Sequence, residues 1–174
     1  MDFEGKLADL KKSIDEASLV KSAADLTVGT VVYVEMDKND GLTLTGGYTT
    51  RLKYVVVAGA KSDHKEVCAV LVNSDAKFSN DPDWRAEQYP LQKCNYPGLL
   101  DHDSWLDCSD PKTLTVRKLK AKKAEVKGRL TDNDLKAVMT KLKNSDLISP
   151  RMKKLYGIAS YNPESEKGQD RFPK

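Results

Sequence analysis

The sequence predicts an α+β fold, mainly β: a small antiparallel barrel or sandwich with a helix before it and helices after it. Short β-branched runs, Val28–Met36, Val55–Gly59 and Glu66–Asn73, are separated by turns rich in glycine and Asx residues. Helical periodicity is confined to the two ends of the chain. Consecutive short strands without intervening helices favour antiparallel pairing.

The 174 residues suit one domain with a real core. No stretch of about 18 apolar residues is present, so no membrane span is expected. Met1 to Lys12 carries six charged side chains, too many for the apolar centre of a signal peptide. A cytoplasmic protein is the expectation. The three cysteines (Cys68, Cys94 and Cys108) are an odd number, which argues for reduced thiols over a disulfide framework.

Residues 3 to 24 read as a helix with Leu7, Leu10, Ile14 and Ala17 on one stripe. Residues 1–27 are therefore an N-terminal helical extension, 28–158 the barrel domain with its C-terminal helices, and 159–174 a polar tail without structure. Within the domain, Val28–Met36 is the first strand, and a polar loop from Asp37 to Gly47 follows. Arg51–Gly59 and Glu66–Asn73 form a hairpin. Asp75 to Ala86 is read as a loop, Tyr89–Leu91 as an edge strand carrying proline, and Asn95–Gly98 as a turn. Ser104–Cys108 and Lys112–Leu119 are two further strands. Gly128–Thr131 leads into a helix, with Thr131 as N-cap, Asp134 as a capping-box partner, and Leu135, Val138, Met139 and Leu142 inward. Ser149-Pro150 starts a last short helix, stopped at Gly157.

Charge is uneven. From Asp110 to Lys154 there are 14 Lys and Arg against 5 Asp and Glu, a net of +9 in a chain whose total is +3. Such a segment can face a polyanion, or simply keep a surface solvated. The lysines between Lys118 and Lys127 can track a phosphate backbone. Trp84, Tyr89 and Tyr96 are candidates for stacking on unpaired bases, or for covering one end of the barrel. His64 lies in a turn. Asp101-His102-Asp103-Ser104 offers acid, base and nucleophile in name, but neighbours on an extended chain point to opposite faces. Cys94, His102 and Cys108 match no common metal spacing, so no metal and no cofactor is expected.

The order of several pieces carries a family resemblance. These are Gly29-Thr30-Val31-Val32-Tyr33-Val34, a glycine-containing loop, a basic residue before Val55-Val56-Val57, Asn73-Ser74 closing the next strand, Gly98-Leu99-Leu100, Asp103-Ser104, and Lys127-Gly128-Arg129-Leu130 before a helix. Over residues 28 to 143 the chain resembles the MazF/PemK-like toxins of type II toxin–antitoxin systems. The resemblance implies an SH3-like barrel and metal-independent cleavage of single-stranded RNA. It also implies a homodimer and an antitoxin protein as partner. The family carries an Arg-Pro pair before the second strand; here Arg51 and Lys53 are followed by Leu52 and Tyr54. By position, Arg51 and Ser74 are the candidate catalytic pair. Lys53, Asn73, Thr50 and Tyr48, which flank them, are the candidate substrate-binding residues. A non-catalytic barrel that binds nucleic acid or protein is the alternative.

Overall fold

The computed structural model describes residues 6–7, 11–13, 16, 18–75 and 81–166. Six strands form one antiparallel sheet: β1 (Thr30–Asp37), β2 (Thr50–Ala60), β3 (Glu66–Asn73), β4 (Gln88–Leu91), β5 (Ser104–Thr115) and β6 (Glu125–Arg129). Their order is β4-β5-β3-β2-β1-β6. The helices are α1 (Pro82–Ala86), α2 (Val116–Ala121), α3 (Asp132–Asn144), α4 (Pro150–Leu155) and α5 (Pro163–Glu166).

Both faces of the central strands are buried, which explains the unbroken run Val55-Val56-Val57. A strand alternates its side chains between faces, and each of the three finds a core. Val56 joins Val31, Val70, Leu106 and the inward side of α3. Val55 and Val57 join Val32, Met36, Val67 and Leu71 in a second core. The first core is covered by α3 through Leu135, Val138, Met139 and Leu142, the four residues the periodicity selected, and by Tyr96, Tyr156 and Ile158. The second is closed by Leu119 of α2, by Ala124, and by Val20 and Leu26 ahead of β1.

The β2–β3 hairpin, the β4 edge strand and the Pro150 helix stand where the sequence places them. Between residues 28 and 158 four stretches differ. Pro82–Ala86, expected as loop, is a helical turn whose Asp81 carboxylate accepts from the Asp83 N–H, with Pro82 at its start. Ser104–Cys108 and the following strand are one continuous β5. It passes Pro111 because the proline sits in an irregularity: β5 spends four residues between Asp107 and Lys112 where β3 spends one, Val70, between Leu71 and Ala69. The alternation at Leu114, Val116 and Lys118 does not continue the strand. Thr115 caps α2 by accepting from the Lys118 N–H at 3.1 Å, and only Leu119 of that helix is buried. Finally, Glu125–Arg129 is a strand, paired with β1.

The N-terminal helix is shorter than expected. Leu19 bridges to Glu125, and the Val20 N–H donates to the Ala124 carbonyl at 2.8 Å, so the chain is extended there. Of the stripe Leu7, Leu10, Ile14 and Ala17, only Leu7 belongs to the described residues, and it is 50% exposed. Helix α5 occupies part of the stretch read as a tail; 167–174 lie outside the described residues. No helix among the described residues is long and apolar enough to cross a membrane.

Cys68 and Cys108 are buried in the first core, and burial pushes each thiol up to about 12. Cys94 is exposed. A thiol-specific reagent should therefore modify one cysteine per native chain at neutral pH, and three after denaturation. Titration with such a reagent in and out of guanidinium checks this.

Asp134 departs from its expected capping role. Its backbone N–H donates to the Thr131 hydroxyl, as an N-cap requires. Its carboxylate instead accepts from the Tyr89 hydroxyl at 2.7 Å and from the Tyr96 hydroxyl. This pins the start of α3 to β4 and to the loop after it. Burial first, then the hydrogen bond to Asp134, pushes Tyr96 up to about 12, against about 10 for an unfolded tyrosine. The stabilisation is complete below pH 10 and is lost as pH rises from about 10 to 12, because the folded state resists giving up the proton. Urea midpoints should fall above pH 10, and Tyr96→Phe should remove part of that fall.

Candidate functional site

At one end of the sheet the second core gives way to polar side chains, and a cleft of about 350 Å3 opens there. The change comes within single strands. Along β2, Val57 and Val55 belong to the apolar core, and Lys53 and Arg51 continue the same face into the cleft. Along β3, Leu71 is followed two residues later by Asn73. The Lys53 ammonium donates to the Asn73 side-chain oxygen at 2.9 Å. Ser74 lies just past the strand end and lines the same cleft.

Four of the six residues selected from the sequence, Arg51, Lys53, Asn73 and Ser74, thus meet around one space. The other two do not line it. The Thr50 hydroxyl donates to the Glu35 carboxylate at 2.9 Å. Tyr48 is 73% exposed, on a turn built by Gly46 and Gly47, both in the left-handed region with φ of 70° and 77°.

Three charged residues of β5 also line the cleft, and none was singled out from the sequence: Asp107, Asp110 and Lys112. The irregularity in β5 brings Asp110 and Lys112 to the same face as Asp107. Asp107 is buried, with its carboxylate accepting from the Gln88 side-chain nitrogen at 2.8 Å and from the Ser109 hydroxyl. Asp110 pairs with Lys112. One signal was available: Leu106 and Cys108 are apolar, so Asp107 between them must face the other side of the sheet.

The cleft's near wall is the 41–44 segment, which is held from below. Asp37 and Asp40 cap a 3-10 turn, Lys38–Asp40, reciprocally. Asp40 is buried and paired with Lys118 of α2, whose ammonium also lies 3.5 Å from Asp37. The charge of Lys118 is consumed in this brace. Lys122 likewise lies 3.5 Å from Glu35. These two lysines therefore hold structure together rather than lining a phosphate track.

The electrostatics of the cleft are set by two cations on one strand. Burial first, and the neighbouring Arg51 charge second, lower the Lys53 pKa below that of an ordinary lysine. Among the described residues neither Arg51 nor Lys53 forms an ion pair with a carboxylate. A half-buried ammonium resting on a neutral amide is a poor arrangement for stability and a good one for receiving an anion.

The remaining candidates lie elsewhere. His64 is in the β2–β3 turn with φ of 55°, and His102 is exposed in the loop before β5. Tyr89 and Tyr96 spend their hydroxyls on Asp134. Cys108 is in the core and Cys94 at the surface, so Cys94, His102 and Cys108 do not converge. Among the described residues no cluster of three or more His, Cys, Asp or Glu side chains could hold a metal ion.

No protein-family model matches the chain, and no curated protein sequence matches it.

Proposed function

We propose that the chain is an endoribonuclease of the MazF/PemK-like type, with its sheet acting as an SH3-like barrel and with single-stranded RNA cut in the Arg51–Ser74 cleft. One observation carries this reading. Arg51, Lys53, Asn73 and Ser74, chosen from motif order alone, line a single cleft, and of its cations Arg51 and Lys53 lack carboxylate partners among the described residues.

The roles follow from the chemistry. Arg51 grips phosphate through its planar guanidinium fork, so it stabilises charge developing on the scissile phosphate. Ser74 and Asn73 orient that phosphate by hydrogen bonds. Lys53, more acidic than an ordinary lysine, is suited to protonate the leaving 5′-oxygen. Asp107 and Asp110 already have partners, which leaves Asp75 at the rim to accept the proton of the attacking 2′-hydroxyl. In the family's pattern the active species is a homodimer restrained by an antitoxin protein, and both belong to this proposal.

A second reading, RNA binding without cleavage, draws on a different observation: no histidine lines the cleft. Incubation with single-stranded RNA in excess EDTA, followed by mapping of the ends, separates the two. Cleavage leaving 5′-hydroxyl ends at restricted sequences is the expected result. Intact RNA that is nonetheless bound would favour the second reading, and intact, unbound RNA would remove both.

A further inference from the structure

Strand β2 carries a second surface on the face opposite the cleft. Leu52 and Tyr54 point there, and Tyr33 of β1 stands beside Tyr54 through the β1–β2 register. The two tyrosine rings lie 4.6 Å apart between centroids, tilted by 37°. Both are only partly buried, and Leu52 next to them is 55% exposed. The helix-covered core takes in Val31 and Val56 and reaches Tyr54, while Tyr33 and Leu52 lie beyond it.

Lys127 of β6 stands over the Tyr33 ring, 5.8 Å from its centroid. The same lysine lines an open groove of about 690 Å3 between β6 and the N-terminal helical residues. Lys11, Lys12, Lys123 and Lys127 face it, against Glu16 and Glu125. Glu125 and Lys127 are paired with each other and offset one another; in the rest of the lining Lys11, Lys12 and Lys123 outnumber Glu16. Lys123 holds a left-handed backbone with φ of 51° at the turn that closes α2. Glycine or asparagine is usual there; lysine instead adds a charge to the groove.

We propose that this face binds single-stranded nucleic acid, with the lysine groove following the phosphates and the Tyr33–Tyr54 pair stacking an unpaired base. An acidic peptide would gain from the lysines but not from the paired rings, whereas a nucleotide gains from both. The face lies across the sheet from Arg51, and binding there does not depend on cleavage.

The test uses the full chain carrying Arg51→Ala, so that RNA stays intact, and a fluorescein-labelled oligouridylate read by anisotropy. Tyr33→Ala should weaken binding about tenfold, the loss of one stacked base, and Tyr33→Phe should bind like its parent. Lys123→Glu, at an exposed turn, should weaken binding and flatten its salt dependence. Should Tyr33→Ala fail to fold by circular dichroism, Lys123→Glu decides. Unchanged binding in the variants, no binding by the parent, or displacement of RNA by a polyglutamate peptide with no effect of Tyr33→Ala would each overturn the proposal. Loss of cleavage in Arg51→Ala alongside Tyr33-independent binding would refute this face and leave the cleft standing.

Discussion

Replacing Arg51 by alanine should lower RNA cleavage about 100-fold or more, the cost of removing one preorganised donor to a developing negative charge. Stability should hardly change. Arg51 is exposed, pairs with no carboxylate among the described residues, and sits in β2 beyond the apolar core. A surface change of that kind stays within about 0.5 kcal/mol. It should even make Lys53 a stronger base, because the Arg51 charge is one of the two causes of its lowered pKa. Lys53→Met should then lose activity too, but by a different route. It removes the proposed proton donor and frees the Asn73 oxygen, so a changed pH profile should accompany its fall in rate. Both are read by initial cleavage rates together with thermal melts.

The largest effect on stability is expected at Gly59. A Cβ there would stand 2.1 Å from the carbonyl oxygen of Tyr156, which is backbone and has no rotamer to escape into. Gly59 lies next to an irregularity in the β2–β3 ladder, between Val57 and Gly59, and the chain after α4 presses into that position. The close approach is reinforced on both sides. The Tyr156 hydroxyl donates to Glu66, Glu66 pairs with Lys61 at 2.8 Å, and Ile158 is fully buried two residues on. Gly59→Ala must therefore push the C-terminal segment off the sheet, at about 3 kcal/mol, the upper end of ordinary overpacking. For a chain of this size that lowers the melting midpoint by about 6–12 °C. Calorimetry checks this, and a melt within 2 °C of wild type would show that the segment shifts at little cost.

The sequence made some parts of the molecule plain for definite reasons. β1, β2, β3 and α3 are dense in signal: β-branched runs bounded by glycine, and a 3.6-residue stripe with a threonine cap. Those elements supply the cleft's Arg51, Lys53 and Asn73, so the candidate site was legible as far as local pattern reaches. The stretch from Asp107 to Arg129 was legible only in part: the strand residues at Ser104–Cys108 and from Lys112 to Thr115 were read as strand, and what joins and follows them was not. Its irregularity in β5, the six-residue α2 and the five-residue β6 are each too short for periodicity to register, and tertiary pairing decides them. Asp107 faces the cleft by ordinary alternation, and Asp110 and Lys112 enter it through that irregularity. The lysines at 118 and 122 looked like a free basic track, yet their partners, Asp40 and Glu35, are more than 75 residues away in the chain. The Tyr33–Tyr54 pair likewise depends on register between strands.

The cleft's chemistry is tested most directly by one cleavage assay in excess EDTA, comparing wild type with Arg51→Ala on a single-stranded RNA and on the same strand with 2′-deoxynucleotides throughout. The expected result is cutting of the RNA alone, by wild type alone. Equal cutting by Arg51→Ala, cutting of the deoxy strand, or no cutting by wild type would contradict the assignment of a ribonuclease to this cleft.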